Sequence, residues 1–284
     1  MSQPLVSVLM TAYNRERYIA ESIESVLNST YENFELIIVD DGSKDRTVEI
    51  VMEYASKDAR IKLYVNPKNV GQFKNRNLAA TYAMGKYLKY LDSDDLLYPT
   101  GLEVMTSMIE QFPEAGYGLC LVNQDESRIC PFILSPEETF VYNYEKQGIF
   151  DRAPLSSIIK KEAFDKVNGF DVEAVCGDFA FWLKTAALYP VVILPSSIGW
   201  YRVHLDQEMQ KTREFSKVAF EYLKAEEMFI SENVIIPAEY KNKILKRNKM
   251  GQLKFCLNVL RGLKIKLFFS LWKMYKTRPR EIFR

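Results

Sequence analysis

Asp92-Ser93-Asp94 sets two carboxylates at alternate positions just beyond the apolar run Tyr87 to Leu91. Alternate residues leaving a strand point to the same side. Mg²⁺ or Mn²⁺ is typically held by one or two carboxylates together with a substrate's phosphates. The bland alternative is an acidic turn that caps a helix before Pro99. A second acidic pair, Asp40-Asp41, ends the run Phe34 to Val39. It suits an Asx turn closed by Gly42, or a carboxylate that accepts the N3–H of uracil while the ring of Tyr13 stacks on the base. N3 of uracil donates and N3 of cytosine accepts, so such a site would hold uracil, pass thymine and refuse cytosine. Arg76, in Asn69-Val70-Gly71-Gln72-Phe73-Lys74-Asn75-Arg76-Asn77, falls at the start of a predicted helix. A cation there opposes the helix dipole, so its setting calls for an anionic or nucleobase partner.

Short strands separated by helices would place these groups together. Leu5 to Ala12, Phe34 to Val39, Ile61 to Val65, Tyr87 to Leu91 and Tyr117 to Val122 are apolar runs of strand length. Between them the apolar period turns helical, at Ile19, Ile23, Val26 and Leu27 and again at Val48, Val51, Met52 and Ala55. That alternation predicts an α/β fold with a mostly parallel sheet flanked by helices. Ligands of such sheets sit at the carboxyl ends of the strands, where Thr11 to Asn14, Asp40-Asp41 and Asp92 to Asp95 fall. Residues 124–153 lack clear periodicity. Further strands are expected at Leu155 to Ile159, Val191 to Leu194 and Ile198 to Val203, with helices from Lys161 and Asp178. From about Thr212 the period is helical.

The 284 residues are 48% hydrophobic and 26% charged, with 12 Gly and 11 Pro, which excludes collagen-like, low-complexity and wholly disordered classes. Four scattered cysteines, Cys120, Cys130, Cys176 and Cys256, and one histidine cannot form a zinc cage. They read as buried thiols of a reducing compartment. The amino terminus has no basic n-region, and no run approaches the ~18–20 apolar residues of a membrane span. A cytoplasmic protein is expected. The loop after the first strand, Thr-Ala-Tyr-Asn-Arg-Glu-Arg, is neither G-x-G-x-x-G nor a P-loop, so phosphates need another source of positive charge, which a metal on Asp92-Ser93-Asp94 would supply.

Together, Val-Ser-Val-Leu-Met-Thr-Ala-Tyr-Asn, Phe-Glu-Leu-Ile-Ile-Val-Asp-Asp-Gly-Ser-Lys-Asp-Arg-Thr, Asn-x-Gly-x-x-x-x-Arg-Asn and Leu-Asp-Ser-Asp-Asp resemble glycosyltransferase family 2 in order and spacing over residues 4–100. The likeness continues more loosely through Gly169-Phe170-Asp171 and Cys176 to Leu183 as far as Tyr201-Arg202-Val203-His204. It implies a GT-A, Rossmann-like fold and inverting transfer of a sugar from a nucleotide diphosphate donor. Thr11, Tyr13 and Asp41 would hold uridine, with Asp40 beside them and Arg76 near the nucleotide. Asp92, Ser93 and Asp94 would serve the nucleotide sugar, with Asp92, Asp94 and His204 on Mn²⁺ or Mg²⁺ and Asp95 a substitute ligand. Asp178 would be the general base. Where the family has two acids this chain has Gly177-Asp178, which leaves one candidate. The Q-x-x-R-W signature of processive synthases is absent, so a single addition is expected.

Inversion needs one carboxylate to take the acceptor's proton, and a metal that neutralises the departing diphosphate removes the need for a protein acid. The rival reading from another class is a catalytically silent scaffold of a glycan-assembly complex. A nucleotidyltransferase would need a glycine-rich basic loop that is missing.

The charge is unevenly spread. Residues 241–284 carry 14 Lys/Arg against Glu281 alone, which leaves −12 on the first 240. The sequence divides into a transferase domain at 1–210, with a nucleotide half at 1–123 and an acceptor half at 124–210, and a basic helical extension at 211–284. In the tail, Leu263, Leu267, Leu271 and Met274 share a helical face widened by Phe268, Phe269, Trp272 and Tyr275. Such a face suits an anionic membrane surface, packing on the catalytic domain, or a homodimer contact. Peripheral attachment at the inner face of the cell membrane, near a glycan or lipid-linked acceptor, is the expectation. Nucleic acid is not expected, because the body is acidic.

Overall fold

The computed structural model describes residues 3–174, 176–196, 198–204, 215–232, 236–261 and 265–276. Strands β1 (Val6–Ala12), β2 (Phe34–Asp40), β3 (Ile61–Val65) and β4 (Tyr87–Tyr90) are parallel neighbours in the order β3-β2-β1-β4. A two-stranded ribbon pairs β5 (Leu96–Leu97) with a later strand, and β6 (Tyr117–Cys120), β7 (Phe132–Leu134), β8 (Ser157–Lys160) and β9 (Val191–Leu194) complete the main sheet. Its order continues β4-β8-β6-β9-β7; β8 runs antiparallel between β4 and β6, and β7 runs antiparallel to β9. The carboxyl ends of β1, β2, β4, β6 and β9 therefore open on one edge.

The sheet is covered on both faces. Leu9, Ile37 and Val39 enter one core, while the alternate residues Val8, Met10, Leu36 and Ile38 enter the other. All seven β2 positions are buried, which explains why Leu36 to Val39 form an apolar run rather than an alternating one. Helices α1 (Ile19–Leu27), α2 (Thr47–Ala55) and α4 (Gly101–Ile109) line the second core. The first is lined by α3 (Gln72–Thr81), α5 (Pro136–Glu145), α6 (Lys161–Lys166) and α7 (Gly177–Leu188). Trp182 of α7 is fully buried and stacks at 5.8 Å on Tyr117 of β6.

The five expected runs become β1–β4 and β6, each ending within two residues of its predicted end. Three regions differ from expectation. The stretch 124–153 contains β7 and α5, and α5 starts at a capping box in which Ser135 accepts from the Glu138 N–H and Glu138 from the Ser135 N–H. Leu155 belongs to a 3₁₀ turn, Pro154–Ser156, before β8. Only Gly199–Trp200 of the run 198–203 forms a strand, β10, antiparallel to β5, because Arg202 turns away to bond the acidic turn after β4. Cys120, Cys176 and Cys256 are buried thiols, but Cys130 is partly exposed.

The extension consists of α8 (Phe215–Glu232), α9 (Ala238–Arg261) and α10 (Ile265–Lys276). Ala225, Ile230, Ile236 and Ile244 join the core shared with α5 and α7, and Phe220, Cys256, Val259 and Leu271 form a smaller core of their own. Leu267, Trp272 and Tyr275 pack on that smaller core. The α10 face read as a membrane surface is thus turned inward at these positions, since an amphipathic stripe beside two other helices gains more by closing a core than by facing water. Phe269 is exposed; Leu263 and the side chains of Phe268 and Met274 lie outside the described residues, as does the 210/211 division. Among the described residues, no helix is long and apolar enough to cross a membrane.

Candidate active site

The site grows from the loops that follow β1, β2 and β4. The first two are laced together. The Asn14 N–H donates to Ser43 Oγ at 2.8 Å, Asn14 Oδ1 accepts from the Lys44 N–H at 2.8 Å, and the Arg15 N–H donates to Thr47 Oγ1 at 2.7 Å. Asn14 holds φ 54°, a left-handed value that asparagine tolerates. Tyr13 is left 42% exposed on the rim, beside half-buried Thr11.

The two acids at the end of β2 do different things. Asp40 closes a turn: its Oδ1 accepts from the Gly42 and Ser43 N–H groups at 3.0 and 2.8 Å, and the Ser43 hydroxyl donates to Oδ2. Gly42 sits at φ 78°, where a side chain would be strained. Asp41 reaches across to the next loop. Its Oδ1 accepts from Asn66 Nδ2 and the Val70 N–H, both at 2.9 Å, and its Oδ2 from the Gly71 N–H at 3.1 Å. An ionised carboxylate has about four acceptor positions, so Oδ2 retains capacity for a further donor. Asp40, fully buried and committed to its turn, is a support for Asp41.

Beyond β4 lies a compact acidic turn. Asp92 receives both bonds of an ion pair from Arg76 Nη2, at 2.7 and 2.9 Å. Arg76 stands in the second turn of α3 and is only 3% exposed. Burial disfavours its charge, but Asp92 and the nearby charge of Asp178 outweigh that and raise its pKa. This answers the dipole argument: the partner of the helical arginine is an acid of the same site. Asp94 Oδ2 accepts from Arg15 Nε at 3.1 Å and lies 3.0 Å from His204 Nε2. Asp95 Oδ1 accepts from the Arg202 N–H at 2.9 Å, and Arg202 Nε donates to the Asp94 carbonyl at 2.8 Å. Burial, then repulsion from Asp92 and Asp94, pushes the Asp95 carboxyl up to about 7. Beneath the turn, buried Lys89 donates to the carbonyls of Leu155 and Ser157, and burial lowers its pKa to about 8.

The structure thus brings Arg76, Asp92, Asp94, Asp178 and His204 together, and places Thr11, Tyr13 and Asp41 on the neighbouring strand ends. Ser93 is buried within the turn. Asp178 is the second residue of α7, with Oδ1 at 2.9 Å from the Phe179 N–H. Gly177 before it has no room for a side chain, since a Cβ there would stand 2.9 Å from the Asp171 carbonyl oxygen and from the Phe73 ring. The second acid of the family pair is excluded by packing. Arg15 and Arg202 carry more of the site than sequence reasoning assigned them. Arg15 was legible only as a cation where nucleotide sheets keep glycine.

Among the described residues, no three His, Cys, Asp or Glu side chains form a ready metal cage. The donors present still fit a hard divalent ion. Asp94 and His204 converge within 3.0 Å, and such ions need few protein ligands when substrate phosphates complete the shell.

The profile of the family described as Glycosyl transferase family 2 matches residues 7–167. An uncharacterized glycosyltransferase of Haemophilus influenzae is 41% identical over 111 residues, 39% of this chain and 44% of that protein. The Escherichia coli UDP-Glc:alpha-D-GlcNAc-diphosphoundecaprenol beta-1,3-glucosyltransferase WfgD is 44% identical over 109 residues, 38% of this chain and 42% of that one. The chain thus spans less than half the length of these two relatives. In structure it is similar to S. aureus TarS 1-349 in complex with UDP-GlcNAc, with TM-score 0.66, 21% identity and coverage of 84% of this chain and 70% of that one. It is also similar to the mannosyltransferase PcManGT of Pyrobaculum calidifontis in complex with GDP-Man and Mn²⁺, with TM-score 0.61, 16% identity and coverage of 97% and 83%. At these identities the structural likeness establishes the fold, a GT-A type. With more than half its length matched by the family profile, over the strand ends that hold the acidic turn, the chain belongs to glycosyl transferase family 2.

Proposed function

We propose that this protein transfers one sugar, with inversion, from a UDP-sugar to a glycan or lipid-linked acceptor, with Mn²⁺ or Mg²⁺ bound and Asp178 as general base. The observation that carries the reading is the ion pair of Asp92 with the buried Arg76, whose charge Asp178 also favours from nearby, which puts an acid of α7 beside the acidic turn. Residues 1–123 hold the nucleotide, residues 124–210 face the acceptor, and 211–284 form the helical extension.

In this reading the acceptor hydroxyl attacks the anomeric carbon opposite the departing diphosphate, and Asp178 takes its proton. Arg76 fixes Asp92 by bonding both of its carboxylate oxygens. Asp94 and His204 would hold the divalent ion, which supplies charge neutralisation for the leaving diphosphate. Arg202, bonded to Asp95 and to the Asp94 carbonyl, keeps the strap that carries His204 on the turn. The names of WfgD and of the TarS complex, which specify UDP-glucose and UDP-GlcNAc, support a uridine donor. The diphosphoundecaprenol acceptor in the name of WfgD supports a lipid-linked one.

The base-reading argument rests on the remaining capacity of Asp41 Oδ2 and the exposed ring of Tyr13. Uracil offers N3–H to the carboxylate, whereas cytosine would oppose it with a lone pair. Leaving a buried acceptor facing an acceptor costs about 1–3 kcal/mol, roughly a 5- to 150-fold loss of affinity. Calorimetry with Mn²⁺ present is expected to show UDP binding at least about fivefold more tightly than CDP. Equal affinities would overturn the assignment of Asp41 and Tyr13.

A further inference from the structure

Helix α9 separates two kinds of residue. Ile244, Asn248, Gln252, Cys256 and Val259 are buried along one side. Lys243, Lys246, Arg247, Met250, Lys254 and Leu257 are exposed, and at 100° per residue they fall within about 60° of the line opposite. Two of the six are large apolar side chains standing in water, Met250 at 50% and Leu257 at 42% exposure. No acid occurs anywhere between Glu239 and Glu281. The helix has 24 residues, and from Lys243 to Leu257 the stripe runs about 21 Å along it.

We infer that this face of α9 is where the protein lies on an anionic lipid surface. Charge complementarity is the first argument. The segment from Lys241 onward carries +13 against −12 on the rest of the chain, so an anionic bilayer attracts this part of the molecule and repels the remainder. Met250 and Leu257 are the second. A bilayer interface takes both kinds of residue, with cations at the headgroups and the apolar side chains at the acyl boundary. Geometry adds the third. Lys243 pairs with Glu145 at 2.6 Å and Arg247 with Glu226 at 3.4 Å, so the amino-terminal half of the stripe is fixed to α5 and α8. Tyr222 of α8 in turn packs 5.2 Å from Phe179, the neighbour of Asp178. A molecule resting on α9 would hold its base-bearing helix at a constant height above the lipid. The inward-turned face of α10 does not compete for this role at Leu267, Leu271, Trp272 and Tyr275, which close the small core.

The lipid-linked acceptor proposed above gives this docking a purpose, but vesicle binding and nucleotide binding fail independently. The test is co-sedimentation of the full chain with vesicles of phosphatidylcholine alone or mixed with phosphatidylglycerol, with UDP calorimetry on every variant. The inference expects binding only to the mixed vesicles, weakening with salt. Each basic residue near such a surface contributes about fivefold in affinity. The double variant Lys246→Glu, Lys254→Glu should therefore bind at least about 25-fold more weakly, with UDP affinity unchanged. Met250→Ser with Leu257→Ser should remove the binding that persists at high salt. Equal binding to neutral vesicles, or full binding by the charge-reversed variant, would overturn the inference. So would no vesicle binding at low salt, including the case in which the stripe instead holds RNA or a second copy of the chain.

Discussion

Asp178→Asn is expected to lower the transfer rate by about 10²- to 10⁴-fold, the range typical of a general base, while leaving UDP affinity and the folded state intact. The amide is nearly isosteric with the acid and its oxygen can still accept from the Phe179 N–H, the bond Asp178 makes at 2.9 Å. What disappears is the ability to take a proton. Because Asp178 contributes to the stabilised charge of Arg76 only as a neighbour, the Arg76–Asp92 pair should survive. A drop in kcat with unchanged nucleotide binding separates a base from a merely structural first-turn acid. Transfer at the wild-type rate would assign Asp178 to helix capping.

Asp94→Asn is expected to abolish the dependence of UDP binding on Mn²⁺ or Mg²⁺ and to weaken binding at saturating metal by more than about tenfold, since such ions are held through few protein carboxylates. Asp94 is a better probe than Asp92. Removing the Asp92 charge would strand Arg76, 3% exposed, and breaking such a pair from one side costs about 3–5 kcal/mol, so lost binding could reflect a damaged fold. Asp94 instead shares its Oδ2 with Arg15 and His204, neither of which is fully enclosed. Calorimetry of the variant with and without metal gives the answer; metal-dependent binding that persists would move the ion elsewhere.

Much of this was legible along the chain, and the pattern of what was not has a physical explanation. β1 to β4 and the first two helices between them follow local period, and their buried runs mark both faces of the sheet. The candidate acids follow from that, because strand ends in a parallel sheet share an edge. The capping box at Ser135 and Glu138 was a readable local signal for α5, masked by the absence of an amphipathic period in Pro136–Glu145. Other features depend on pairings no local pattern encodes. Arg15 meets Asp94 across 79 positions and Arg202 meets Asp95 across 107. Asp40 and Asp41 look alike in sequence, yet a two-residue turn takes the first and a loop 29 residues away takes the second. The tail shows the converse. Its apolar stripe in α10 was correctly seen as amphipathic, but which surface it covers depends on α8 and α9 lying beside it.

The most direct test of the central claim is release of nucleoside diphosphate from a panel of UDP-, GDP- and CDP-sugars, with a lipid-linked acceptor fraction added, before and after removal of Mn²⁺ by chelation. The proposed roles, uracil acceptance at Asp41, metal binding at Asp94 and His204 and base catalysis at Asp178, predict release of UDP from a UDP-sugar that stops on chelation and resumes when Mn²⁺ is restored. Release that continues undiminished after chelation, or none from any sugar nucleotide in the panel, would contradict it.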